Sequence, residues 1–446
     1  MITRTAQRLP HHQGPAAWDA ILPPRIAGPM LDADTSVDFA VVGAGFAGMA
    51  AARRLTQLSN GSRIAVLEAG AVAEGASGRN SGFMIDLPHE LTSEDYAGSG
   101  NDHAIIAMNR SAIEFAQSAV DDYGIRSDYF DRVGKINGAA SAAADAHNSS
   151  YANHLNSLDE NSERLDAAQM QEVTGSTYYR SGLYTPGTVM LQPAGFMRGM
   201  ADGLRRDGIA VFEHTPALSF EQDGAGWIIN TPKARLRTAK IILTVNGHLE
   251  SFGFAQNRLM HVFLFATITP ELDEGSLKKL GGKSRWGITP SDPMGTTLRR
   301  IDTAQGGNRI VTRTCAVLRS DLEATGRDLT RARLVMRQKF DLRFPQLAGL
   351  QMEHAWGGHL CLSSNGVAVT GEVEQGIYSG CVQNGLGTAR GTLTGIAAAE
   401  LACGVSSDIT QHFAREAEPK KLPPRLVRDF GANAVLRFKE WKAQAE

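Results

Sequence analysis

The chain has 446 residues, of which 42% are hydrophobic and 21% charged, and its formal net charge is −2. These values exclude a disordered or fibrous chain and give no basis for a nucleic-acid partner. The length predicts two or three domains and a core large enough to need no disulfide or metal staple, so no metal site is expected.

The four cysteines (Cys315, Cys361, Cys381 and Cys403) are far apart and form no CxxC pair, which fits a reducing cytoplasm. The N-terminus, MITRTAQRLPHHQGPAAWDA, lacks the apolar run of a signal peptide. No apolar stretch approaches the ~20 residues of a membrane span. A soluble, cytoplasmic protein is expected.

The first strong pattern is VDFAVVGAGFAGMAAARRL, residues 37–55. Residues 39–42 predict a buried parallel strand, followed by a turn through Gly43, Gly45, Phe46, Ala47 and Gly48 into an alanine-rich helix. Glycines at this spacing suit a tight turn, backbone approach to a pyrophosphate and close packing of helix on strand. A second strand, RIAVLEAG, ends at Glu68 and Ala69, with Glu68 placed 20 residues after Gly48. A carboxylate there is expected to accept hydrogen bonds from a ribose, which disfavours NADP without separating NAD from FAD.

Next comes EGASGRNSGFM. Ser77, Gly78, Arg79, Asn80, Ser81 and Gly82 supply hydroxyls, free amides and one fixed positive charge, a composition suited to an anion. In an FAD protein a second loop of this kind must cover the pyrophosphate and ribityl chain.

These motifs resemble the FAD-dependent oxidoreductases of the D-amino-acid-oxidase superfamily, above all the gamma-glutamylputrescine oxidoreductase-like amine-oxidising branch. Residues 1–36, with AAWDAILPP, are similar to the extension that precedes the first strand in that branch. LQPAGFMRGMADGLRRDGIAVFEHTPALSF (191–220) resembles the return to the cofactor domain, and AKIILTVNGHL (239–249) resembles a strand whose end, Asn246 and Gly247, closes under the flavin. AWGGHLCLSSNGVAVTG and IYSGCVQNGLGTARGTLTGIAAAEL resemble the C-terminal signature, whose loop, here Gly380, Asn384, Gly385, Leu386, Gly387 and Thr388, meets the isoalloxazine.

The resemblance implies an α/β fold, a Rossmann-like FAD-binding domain (37–90, 165–250 and 355–405) interleaved with an antiparallel-sheet α+β substrate domain (91–164 and 251–354). Residues 1–36 form an N-terminal extension and 406–446 a helical tail. Within the substrate domain, QGGN marks a hairpin, and DLTRARLVMRQKFDLRFPQL predicts a helix ending near Pro345. In the tail, Val427, Phe430, Ala434, Phe438 and Trp441 share one helical face with basic residues around it. This helix is expected to dock on its own protein, the alternative being an anionic membrane near quinone.

The implied activity is oxidation of a C–N bond in a small amine or amino acid, by hydride transfer to noncovalent FAD and hydrolysis of the imine, with oxygen or quinone as acceptor. Such chemistry needs mainly positioning, and no catalytic acid or base is assigned. Arg300 and Arg313 are candidate anion clamps, with adjacent Arg299 and Arg300 on opposite faces of a strand. His359 is a candidate substrate contact, and His261 and Trp286 are candidate pocket lining. Relatives that oxidise simple amino acids carry an arginine close to the Trp-Gly position; here Trp356, Gly357 and Gly358 lead into His359 and Leu360. That departure favours an amine with a more distant acidic group, or none. Cys381 is the one nearby residue suited to a covalent flavin link. Alternatives are a hydroxy-acid or polyol-phosphate dehydrogenase passing electrons to quinone, and a flavin-binding subunit without turnover.

Overall fold

The computed structural model describes residues 2–88, 101–292 and 294–443. Five strands run parallel in the order Ala210–Phe212, Ile64–Leu67, Thr35–Val42, Arg235–Leu243 and Ile377–Cys381. Ile64–Leu67 is buried along its whole length, as an inner parallel strand covered on both faces should be. The sheet continues antiparallel past the first half of Arg235–Leu243, through Gly226–Asn230, Ser219–Asp223 and Thr3–Thr5. The N-terminal extension therefore contributes a strand to this sheet. Helices Phe46–Leu58 and Ala389–Ala402 lie side by side, and their buried alanines let the two backbones approach closely.

A second sheet has the order His354–Ser363, Leu259–Ile268, Arg309–Leu318, Thr297–Ile301, Trp286–Pro290, Lys135–Ala139, Ser181–Thr185 and Glu163–Asp166. It is antiparallel except where Trp286–Pro290 meets Lys135–Ala139. The QGGN segment joins the antiparallel pair Thr297–Ile301 and Arg309–Leu318. Helix Gly326–Arg343 opens with a capping box between Thr325 and Asp328 and stops before Pro345. Phe340 and Phe344 pack against Trp286, Ile288, Leu298 and Ile310, each large side chain contributing about 1.5–3 kcal/mol through burial. A small third sheet joins Phe83–Met84, Val189–Leu191 and Phe130–Asp131.

The sequence reading gives the segments holding Ser181–Thr185 and His354–Ser363 to the cofactor domain, yet both strands pair in the second sheet. His354–Ser363 pairs with the distant strand Leu259–Ile268, and Ser181–Thr185 reaches Lys135–Ala139 across an intervening helix; segment order reveals neither pairing. The expected boundary at 90/91 lies outside the described residues, as do the last three residues of the tail.

Helix Arg425–Lys442 docks on the protein through a mixed face that carries Asn433 and Glu440 together with Ala432 and Leu436. The Ala316 amide donates to Glu440 Oε1 at 2.8 Å and the Leu318 amide to Asn433 Oδ1 at 2.9 Å. Val427, Phe430, Phe438 and Trp441 are turned outward, Phe430 with 83% of its surface exposed. The expectation of docking is met by the face opposite to these large apolar side chains, which gives the strand amides acceptors and adds Ala432 and Leu436 to the cluster of Val262, Ala316 and Leu318. Among the described residues no helix is long and apolar enough to cross a membrane.

Candidate active site

The parallel strands end at a cavity of about 300 Å³. Val42, Leu67 and Thr244, at the carboxyl ends of three adjacent strands, form its base, where open α/β sheets place ligands. The chain turns over Thr244 at Gly43, whose φ of +103° suits glycine alone. A Cβ on Gly48 would lie 1.8 Å from the Gly43 carbonyl oxygen, so helix and turn meet without room for a side chain. Gly45, Phe46 and Ala47 line the cavity, and the helix they open has no side-chain cap. The helix starting at Ala389 is also uncapped, because the Thr388 hydroxyl donates instead to the Phe83 carbonyl at 2.7 Å. Two uncapped helix starts give the cavity free amide donors and partial positive charge.

Glu68 and Ala69 line the same cavity. Glu68 Oε2 accepts from the Ala44 amide at 2.8 Å and Oε1 from the Gly70 amide at 3.2 Å. Burial pushes this carboxyl above the usual range, against the pull of those two amides. Asn246 Oδ1 and His248 Nδ1 are buried at the wall without a hydrogen-bond partner among the described residues.

The stretch Ser77–Gly82 borders the cavity through Ser77, Arg79, Asn80 and Ser81, while Gly78 and Gly82 pack behind them against Ala73 and Leu191. The Arg79 guanidinium does not present its charge to an anion. It donates to the carbonyls of Glu74 (2.6 Å), Gln13 (3.2 Å), Gly14 (3.0 Å) and Gly357 (3.2 Å). Burial lowers its pKa to about 10. Trp18 Nε1 donates to the Asn80 carbonyl and Trp356 Nε1 to the Arg79 carbonyl, so the N-terminal extension and strand His354–Ser363 hold the loop from behind. The Asn80 amide holds the loop onto itself through the Ala76 and Ser77 carbonyls.

In the C-terminal loop, Gly385, Gly387 and Thr388 border the cavity, with Gln383 beside them. Asn384 turns away: its Oδ1 accepts from the Ser363 amide at 2.8 Å. Gly380 lies behind the site, where a Cβ would fall 2.6 Å from the Thr394 carbonyl oxygen. Its role is to seat the helix rather than to approach a planar ligand. Gly247 similarly packs against His359 and His261. Cys381 is buried, its thiol donates to the Leu243 carbonyl at 3.2 Å, and burial raises its pKa to about 11. Such a thiol is a poor nucleophile.

A smaller chamber of about 100 Å³ adjoins the cavity and shares Ser81, Phe83, Leu264, Arg313, Leu360, Gly385 and Thr388 with it; Leu386 lines only this chamber. Opposite Leu264 and Phe265 the strand Arg309–Leu318 carries a bulge at Cys315, whose φ is +66°, and Leu264 and Phe265 both line the cavity. Arg313 makes no hydrogen bond or ion pair among the described residues, and burial lowers its pKa to about 10. Arg300 and Trp286 lie elsewhere. They are cross-strand partners, and Trp286 stacks on Phe344 in the core under helix Gly326–Arg343. Arg299, one residue earlier, faces the other way and donates to the Gly82 and Leu191 carbonyls at 2.6 and 3.1 Å.

His359 borders the cavity; His261 lies behind it and does not. Sequence reasoning missed Thr244, His248 and the N-terminal residues Arg8, Leu9, Pro10 and His12, all of which line the cavity. The signal for His248 was its place in NGHL, two residues after Asn246. It also missed Lys135, buried behind the small chamber with Nζ 3.2 Å from Thr289 Oγ1 and a pKa lowered to about 8 by burial.

The glycine turn, the buried carboxylate, the uncapped helix starts and the unpartnered Asn246 and His248 atoms fit a dinucleotide bearing a pyrophosphate. The family model for FAD dependent oxidoreductases matches residues 38–401. The chain is 24% identical over 408 residues to the probable oxidoreductase OrdL of Haemophilus influenzae, covering 90% of each. It is 22% identical over 383 residues to the gamma-glutamylputrescine oxidoreductase of Escherichia coli, covering 84% of this chain and 85% of that one. Glycine oxidase from Geobacillus kaustophilus has a similar fold, with a TM-score of 0.68 at 15% identity over 87% of this chain and all of that one. The site and the match over most of its length make this chain an enzyme of the DAO family of FAD-dependent oxidoreductases.

Proposed function

We propose that the protein oxidises the C–N bond of a small amine or amino acid that carries an anionic group, giving an imine that hydrolyses to a carbonyl compound. FAD, when bound, supplies the acceptor for the hydride. The observation that carries this reading is Arg313, a cation without a partner among the described residues, at the junction of the two chambers. Its guanidinium anchors the anionic end of the substrate. Phe83, Leu264 and Leu360 exclude water around the reacting carbon, and the Gly45–Ala47 and Thr388–Ala389 amides hold negative charge on the cofactor. A relative named for gamma-glutamylputrescine and a fold shared with glycine oxidase support an amine as donor.

Arg313→Ala is expected to raise KM for the best anionic amine by about 10- to 100-fold, the loss of a charge-assisted contact, while the bound flavin spectrum stays the same. An unchanged KM refutes the anchor.

The outward ridge of Val427, Phe430, Phe438 and Trp441, flanked by Arg425, Lys439 and Lys442, favours a second reading. In it the ridge rests on an anionic bilayer and a hydroxy acid or polyol phosphate feeds electrons to quinone. Flotation with phosphatidylglycerol vesicles, lost in Phe430→Ser and Trp441→Ser, supports it. Self-association without vesicle binding refutes it.

A further inference from the structure

From His359 at the cavity wall runs a chain of three side chains, His359, His261 and Glu250, that the proposed chemistry leaves unused. His359 Nε2 is 3.2 Å from His261 Nδ1, and His261 Nε2 is 2.9 Å from Glu250 Oε2. His359 and His261 belong to the paired strands His354–Ser363 and Leu259–Ile268, and Glu250 to the 3-10 segment Asn246–Phe252. The inner end borders the cavity and the outer end reaches solvent: the His261 side chain is 1% exposed and that of Glu250 is 16%. Gly247 makes room for the histidine pair, because a Cβ there would fall 2.6 Å from His359 Cε1 and 2.7 Å from His261 Nδ1.

Hydrogen-bond polarity assigns the tautomers. A carboxylate only accepts, so the His261 Nε2–H donates to Glu250. Neutral His261 then offers a lone pair at Nδ1, and His359 donates to it from Nε2. His359 Nδ1 is left as an acceptor.

We propose that Glu250, His261 and His359 form a proton relay between the cofactor cavity and solvent, in which Glu250 and His261 are positioning residues for the cavity-wall histidine. A proton taken up at His359 Nδ1 forms an N–H bond there, while the His359 Nε2–H bond breaks and a His261 Nδ1–H bond forms. The positive charge comes to rest on His261 beside the Glu250 carboxylate, and no electrons change hands. The proton is one that an ammonium donor gives up in becoming the neutral amine; this clause rests on the amine reading, and the tautomers do not.

The other titratable groups around the chain favour a neutral His359. Its ring stacks on Phe263, with centroids 4.9 Å apart, and meets His248 edge-on at 5.7 Å. Burial, with His261, His248 and His12 nearby, holds His359 well below the usual imidazole range. Burial, with His261 nearby, lowers His248 to about 4, and burial with Arg79, His248 and His11 nearby lowers His12 to about 3. Cys361, buried near Glu250, remains a thiol.

Long-range proton–nitrogen NMR on the histidine-labelled, FAD-loaded full-length protein reads the tautomers directly, with His359→Gln assigning the signals. The expected result near neutral pH is a His359 protonated at Nε2 and bare at Nδ1. Protonation at Nδ1 instead overturns the relay. Glu250→Ala is expected to scramble that tautomer, to lower kcat/KM about tenfold and to move its acidic limb, a modest part of what general acid–base catalysis supplies. Glu250→Gln, whose amide oxygen still accepts, is expected to restore the tautomer. A lower melting temperature in Glu250→Ala with tautomer and pH profile unchanged makes the chain mere packing and overturns the proposal. The NMR result stands whichever donor the enzyme oxidises.

Discussion

Replacing Arg79 with alanine separates holding the loop from holding the cofactor. The guanidinium serves four carbonyls, those of Glu74, Gln13, Gly14 and Gly357, from a side chain 6% exposed. The Gln13 carbonyl keeps a second donor, the Gly357 amide at 2.9 Å. Gly14 is exposed and its carbonyl turns to water, whereas those of Glu74 and Gly357 lose a charged donor inside the protein, each buried acceptor left unpaired costing about 1–3 kcal/mol. Water entering the space recovers part of this, leaving a destabilisation of about 2–4 kcal/mol. Melting curves at increasing FAD concentrations and two ionic strengths test it. The variant is expected to melt lower at every FAD concentration, and the salt dependence of FAD binding is expected to match the wild type, because the charge points away from the cofactor. A variant that melts like the wild type but binds FAD far more weakly, with reduced salt dependence, refutes this reasoning.

Two further predictions come from the same framework. Gly48→Ala places a methyl group against the Gly43 carbonyl and is expected to displace the turn, weakening FAD binding at least tenfold in a fluorescence titration, about 1.4 kcal/mol. Glu213 accepts from Arg25, Arg205 and the amides of Gly28 and Val72, tying the N-terminal extension to the sheet edge. Burial alone would raise its pKa, but Arg25, the Val72 amide, Arg205 and the Gly28 amide outweigh burial and hold it at about 2. Between that value and the unfolded one of about 4.5, the unfolded chain binds more protons, so stability rises with pH. Glu213 is expected to contribute about 3 kcal/mol at neutral pH, lost on acidification through that window. Melting of wild type and Glu213→Gln should differ at neutral pH and converge near pH 2; a constant difference sinks the argument.

What the sequence made legible was local. The Gly43–Gly48 turn, the strand ending at Glu68 and the helix from Ala389 follow local patterns of glycine spacing and helix propensity. The structure forms each of these elements, although Thr244 and helix Phe46–Leu58 pack on them from far away in the chain. The charge of Arg79 was legible and its direction was not, because its acceptors lie at residues 13, 14 and 357. The choice between Arg299 and Arg300 depends on strand register, which the ladder with Trp286–Pro290 sets and alternation alone cannot. The tail helix shows the same limit. Its large apolar side chains are plain in the sequence, yet the opposite face docks, with Asn433 and Glu440 on the Leu318 and Ala316 amides and Ala432 and Leu436 beside them. The pairing of His261 with His359 and Glu250 follows from tertiary contacts that no motif encodes.

The central claim, oxidation of an anionic amine at the chamber held by Arg313, is tested most directly by anaerobic reduction of the bound flavin. Purified FAD-loaded protein is mixed with amines, amino acids, hydroxy acids and polyol phosphates, and the visible flavin band is followed. The account predicts bleaching by amines that bear an acidic group, and much slower bleaching of Arg313→Ala by the same donors. Bleaching by hydroxy acids or polyol phosphates alone, or equal bleaching of both proteins, contradicts it.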